Sequence, residues 1–226
     1  KTRSVSQAEG YVRLSSLKNA FTHPILVWLF ALSVIMYVFS HVPFVFGQPF
    51  ILEALKQTGF SGEAPFVSGS VTALMMVVSV ITSLFALKLR NRLGLMQILL
   101  LAFGLQIALS GTLALTGEAV VIGVLLLRMV PDSLSRPFVI ARIQPLLNDN
   151  SRATYLSIKS LCGRLIFAGT LAFAATATTS EKSMSYGDIQ QVLTWYAVAG
   201  AVCFVLLVIT AQSTKIDDRE RGPGKD

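Results

Sequence analysis

Six long apolar runs fill this chain, and its basic residues fall almost entirely into alternate gaps between them. The runs cover 24–52, 65–87, 93–115, 119–147, 156–176 and 189–211. A hydrocarbon core of about 30 Å takes about 20 helical residues, so each run is long enough to cross it. Fourteen of the 19 Lys and Arg residues lie in the gaps that would share one side, or, for Arg142 and Lys159, at the run ends bordering one: the two ends of the chain, the gap after the second run and the gap after the fourth. Only Lys56 and Lys182 occupy the opposite gaps, and Arg128, Arg136 and Arg164 sit inside runs. Positive charge concentrates on the cytoplasmic side of membrane proteins. The expectation is an integral protein of the cell (inner) membrane with both termini cytoplasmic.

Composition excludes the main alternatives. Hydrophobic residues make up 53% of the chain and charged residues 14%, too little charge to cover the surface of a soluble domain. The net charge of +7 raises the question of nucleic acid. The basic residues flank apolar runs, however, and none is interleaved with aromatics as a base-stacking groove requires, so no nucleic-acid partner is expected. Cys162 and Cys203 fall in different runs and read as small thiols in apolar surroundings. His23 and His41 are the only histidines, which leaves no Cys/His cluster at metal-ligand spacing and no expected cofactor. No Asp pair, Ser/His pair or His-rich motif stands at reactive spacing, so an intramembrane enzyme is disfavoured. The first residues are polar, without an initiator Met or an apolar leader core, and the chain opens as if cut from something longer.

The expected architecture is all-α, a polytopic membrane protein. A lead-in at 1–22, with apolar residues near helical spacing, suits a helix lying at the membrane interface. A bundle of six transmembrane helices follows over 23–212, and a mixed-charge tail over 213–226 is expected to be disordered. Pro43, Gly47 and Pro49 interrupt the first run, so its far half is expected to be kinked or broken. The second run is rich in small and hydroxylated residues and is expected to pack on another helix. Lys88 to Gly94 reads as a tight basic turn. Asn148, Asp149, Asn150 and Ser151 offer turn and N-cap chemistry before the fifth helix.

The polar residues inside the runs carry the functional expectation. Arg128, Asp132 and Arg136 are spaced i, i+4, i+8, which on a continuous helix stacks them as a plus–minus–plus ladder. Charges in a bilayer must face protein or a wet cavity. The ladder is open to two readings, a buried ion-pair network that fixes packing or a site of substrate or proton coupling. Counting about 1.5 Å per residue from each boundary puts Asp132 and Arg164 at the same depth, so the two are expected to pair between helices. Arg128, nearest the midplane, is the leading substrate-facing charge. His41 and Gln48, seven residues apart, share a face of the first helix. His41 is either a proton carrier or a polar group hydrogen-bonded to a neighbour.

With these residues in view, the chain resembles the C-terminal six-helix half of a major facilitator superfamily transporter, in a drug-efflux-like branch. The segment Asn91-Arg92-Leu93-Gly94 is similar to the family's Asp-Arg-x-Gly cytoplasmic loop, with Asn91 where Asp is usual and Leu87 where the family has Gly. Ser151-Arg152-Ala153-Thr154, leading to Gly163-Arg164-Leu165, resembles the Arg-Ala-Thr entry to the penultimate helix. The basic opening helix, His23-Pro24, and the later Gly47-Gln48-Pro49-Phe50 resemble the linker and first helix of the second half. The resemblance implies that the first and fourth helices line a central cavity, the second and fifth meet the other half, and the third and sixth face lipid. It implies alternating access around a midplane site for a small molecule, coupled to a proton gradient, with an N-terminal six-helix half as partner. Asn91, Arg92, Gly94, Arg152 and Arg164 take structural or gating roles in that reading. The alternative is a six-helix membrane sensor or scaffold without transport activity.

Overall fold

The computed structural model describes residues 18, 20–58, 64–115, 120–176, 186–214 and 216, and the side chains of all of these except 48–58, 64, 120–122, 150 and 186. Most of the lead-in and the tail, the connections at 59–63, 116–119 and 177–185, and the side chain of Gln48 lie outside the described residues. Among those described, every regular element is helical: α1 (Pro24–Thr58), α2 (Ala64–Leu93), α3 (Leu95–Leu115), α4 (Val120–Leu126), α5 (Val130–Ile143), a 3₁₀ turn (Gln144–Leu146), α6 (Asp149–Thr176) and α7 (Tyr186–Thr214). Five helices, α1, α2, α3, α6 and α7, are long and apolar enough to cross a membrane.

The fourth apolar run is not one helix. Pro131 lacks an N–H, so the carbonyl of Leu127 four residues earlier loses its α-helical donor. That carbonyl accepts from the amide of Val130 instead (3.0 Å), and Leu127 and Arg128 donate to Val124 and Leu125 (both 3.1 Å). These i to i−3 bonds tighten residues 127–129 into a turn between α4 and α5. The first run is not broken, because α1 continues as helix past Pro43 and Pro49. Pro137 likewise lies inside α5 without ending it.

The basic turn after the second run is shorter than expected. Helix α2 absorbs Lys88 to Leu93, and Gly94 alone separates it from α3. Gly94 has φ of 94° and its amide donates to the Arg90 carbonyl at 2.8 Å. This is the left-handed helix stop that a residue without Cβ adopts freely. At the start of α6 the Asn148 carbonyl accepts from the amides of Ser151 and Arg152 (both 3.0 Å), as the sequence of that turn suggests.

Helix α1 touches all six other helices and forms the axis of the bundle. Tyr155 of α6 is fully buried and donates its hydroxyl to the Leu26 carbonyl (2.6 Å), while the Trp28 indole N–H reaches the Leu207 carbonyl of α7 (3.2 Å). Helix α7 lies along α3, and at Gly200 it comes so close that an added Cβ would meet Phe39 at 2.7 Å and Ile107 at 2.9 Å. Half of the membrane-suited length of α1 and of α3 is buried, against 11% for α2 and α6. The third helix is therefore a core element that keeps one exposed stripe, through Leu101, Ala108 and Leu115. Its buried residues run its whole length, from Leu95 through Phe103 and Gln106 to Ala114. Helix α7 does present a large apolar face outward, through Trp195, Val198, Val202, Val205, Leu206 and Ile209.

Candidate functional site

Arg128 stands in the turn between α4 and α5, half-buried, with its guanidinium 4.9 Å from the centre of the Phe44 ring on α1. It lines a cavity of about 80 Å³ together with Phe44 and Gly47 of α1, Ser68 and Thr72 of α2, and Leu125 of α4. The approach is close here too, since a Cβ on Gly47 would lie 3.2 Å from Leu125. Among the described residues Arg128 has no hydrogen bond and no ion pair. The ring face of Phe44 contributes about 0.5–2 kcal/mol and leaves the hydrogen-bond donors of Arg128 unspent.

The expected ladder does not close. Residues in a 3₁₀ turn advance about 120° each, not the 100° of an α-helix, so the break at 127–129 rotates Arg128 off the line of Asp132 and Arg136. Neither arginine forms an ion pair with Asp132 among the described residues. The polar partner of Asp132 is Gln106 on α3, whose Nε2 donates to Oδ1 at 3.2 Å. Gln106 is 2% exposed, and its Oε1 is buried with no hydrogen-bond partner. Arg136 is exposed on the next turn, and its charge faces that of half-buried Lys159 on α6. A hydroxyl pair, Ser79 of α2 and Ser133 of α5 at 2.6 Å, fixes the neighbouring seam.

The Asp132–Arg164 pair is not formed either. Arg164 is exposed and has no hydrogen bond or ion pair among the described residues. The charges whose fields reach Asp132 are Arg136, His41 and Arg128. The expectation counted residues along each helix and left direction around the helix open. Gly163, immediately before Arg164, faces Tyr37 so closely that a Cβ would lie 3.0 Å from the ring, which turns Arg164 away from the core.

His41 is half-buried, stacked at 4.1 Å on Tyr37 and 5.3 Å from Phe167 of α6. Its Nδ1 lies 2.8 Å from the Tyr37 carbonyl, which can only accept, so Nδ1 carries the proton. The loop and gating candidates divide. Asn91 and Arg92 are exposed, whereas Arg90 lies 5.8 Å over the Phe138 ring of α5 and is the basic residue there that touches the bundle. Arg152 bonds Asp149 (3.1 Å) and the carbonyls of Gln144 (3.2 Å) and Leu147 (3.5 Å), fastening the α5–α6 connection.

Sequence reasoning missed Phe44 and the partnership of Gln106 with Asp132. Gln106 carried a signal, since it and Gln97 are the only amides in the third run. Phe44 carried none. Cys162 and Cys203 are half-buried free thiols on separate helices. Among the described residues no three His, Cys, Asp or Glu side chains gather as a metal site. Compared with known proteins, the chain matches no family model, no curated protein and no solved structure.

Proposed function

We propose that this chain is the C-terminal six-helix half of a secondary active transporter of the major facilitator type, working by alternating access. The observation that carries the reading is the broken fourth helix with Arg128 in its break, facing a cavity against α1. Irregular backbone is tolerated at membrane depth only where it is buried in protein or lines a wet cavity. In transporters, discontinuous helices of this kind build the substrate site. In this reading α4, the turn and α5 together make the sixth crossing, and both termini are cytoplasmic.

The surfaces support the same division of labour. The exposed face of α6 mixes small residues, among them Ala153, Ser157, Ala168, Gly169 and Ala172, with the large apolar Leu161, Leu165 and Phe173, a surface on which another helix can pack. The exposed face of α7 is large and apolar, suited to lipid. The partner at α2 and α6 is the N-terminal six-helix half of the same transporter. The coupling ion in this reading is a proton, with Asp132 and His41 as the candidate carriers.

Alternating access is testable before any substrate is known. Thr72 lines the Arg128 cavity and is exposed. In the full-length protein, with Cys162 and Cys203 replaced, a Thr72→Cys thiol should react with membrane-impermeant maleimide in both right-side-out and inside-out vesicles. Labelling from one side only, or from neither, overturns the transport reading and favours the sensor or scaffold.

A further inference from the structure

We propose that Arg128 receives the anionic group of the substrate, and that the substrate class is the organic anion with an apolar or aromatic body. The inference rests on the transporter reading and specifies the ligand of that same site. Three observations lead to it. Arg128 is a half-buried cation with no hydrogen bond or ion pair among the described residues, so its planar fork is free to take a carboxylate in two parallel bonds. Phe44, 59% exposed beside it, offers a ring face to an apolar body, and the hydroxyls of Ser68 and Thr72 share the cavity. Its volume of about 80 Å³ takes a carboxylate-sized group, with the rest of the molecule lying outside along Phe44.

Charge balance gives the third. Inside the apolar runs the basic residues Arg128, Arg136 and Arg164 stand against Asp132 alone. Asp132 is engaged by Gln106 and pairs with none of them. Arg136 and Lys159 lie in one another's field, and Arg128 and Arg136 share the field of the single carboxylate Asp132, so positive charge exceeds negative here. Such a surface attracts anions and repels organic cations.

The test uses the full-length protein in lipid nanodiscs and three ligands of one shape: 4-phenylbutyrate, 4-phenylbutylamine and 4-phenylbutanamide. The carboxylate should bind at least tenfold tighter than the amine or the amide. Arg128→Gln should abolish that preference, Arg128→Lys should restore part of it, and Phe44→Leu should weaken 4-phenylbutyrate more than it weakens butyrate. Lys88→Gln, which alters an exposed cation away from the cavity, should change nothing. Equal binding of all three ligands, preference for the amine, or an anion preference that survives Arg128→Gln overturns the proposal. So does the absence of any anion binding, the result expected if an acidic side chain of the other half already occupies Arg128. Proteoliposome uptake separates the two ideas. Carboxylate binding without uptake upholds the anion site and sinks transport, and uptake of the amine alone does the reverse.

Discussion

Replacing Gly200 by alanine asks whether α7 crosses α1 and α3 as tightly as the structure has it. An alanine Cβ there would lie 2.7 Å from Cε1 and 2.9 Å from Cζ of Phe39, and 2.9 Å from Cγ1 of Ile107. The ring cannot swing aside, because Phe39 is 4% exposed and held edge-on by Phe103 (5.4 Å) and Tyr196 (6.1 Å). Overpacking of this kind costs about 1–3 kcal/mol. Exchanging Gly for Ala in a helix returns about 1 kcal/mol. The net expectation is a destabilisation of about 0–2 kcal/mol. Gly104→Ala is the matched control, since its new Cβ would meet Phe204 at an ordinary 3.6 Å and leave the propensity gain intact. The two variants should therefore differ by about 1–3 kcal/mol in denaturant-driven unfolding of the full-length protein. A double variant, Gly200→Ala with Phe39→Leu, should recover part of the loss relative to Phe39→Leu alone. Equal stability of the two alanine variants would refute the packing argument.

Two further substitutions test single contacts. Tyr155→Phe removes the hydroxyl that fastens α6 to the Leu26 carbonyl and should cost about 0.5–1.5 kcal/mol, with amide exchange rising in α6 before α7. Unchanged exchange in α6 would show that the bond contributes nothing. Gly94→Ala forces a side chain into φ of 94° and should destabilise by about 1–2 kcal/mol, whereas Gly94→Asn should cost less. Identical unfolding curves for the two variants would contradict the assigned backbone.

Two helix starts were legible in this fold. Pro24 and Asn148 mark them through local backbone chemistry, which sequence states directly, whereas the turn expected over Lys88 to Gly94 shrank to Gly94 alone. The break at 127–129 was less legible, because Pro43, Pro49 and Pro137 sit within continuous helix while Pro131 accompanies a disruption. Proline removes a donor in all four cases, and the surrounding packing decides whether the helix yields. The central place of α3 was hidden for another reason. Its sequence is apolar around nearly its whole circumference, and in a membrane that pattern suits core and lipid alike. At the site, depth could be counted along each helix but azimuth could not. That is why Asp132 met Gln106 and not Arg164.

Gly94 has a mechanical consequence. A one-residue joint leaves no slack between a helix of 30 residues and one of 21, so a change in the tilt of α2 must either bend that joint or carry α3 with it. Gln106 lies twelve residues beyond the joint, about 18 Å along α3. Over that arm, a pivot of about 10° moves the amide by about 3 Å at 1.5 Å rise per residue, comparable to the 3.2 Å that separates it from Asp132. The charged end of the bundle thus holds leverage over Asp132.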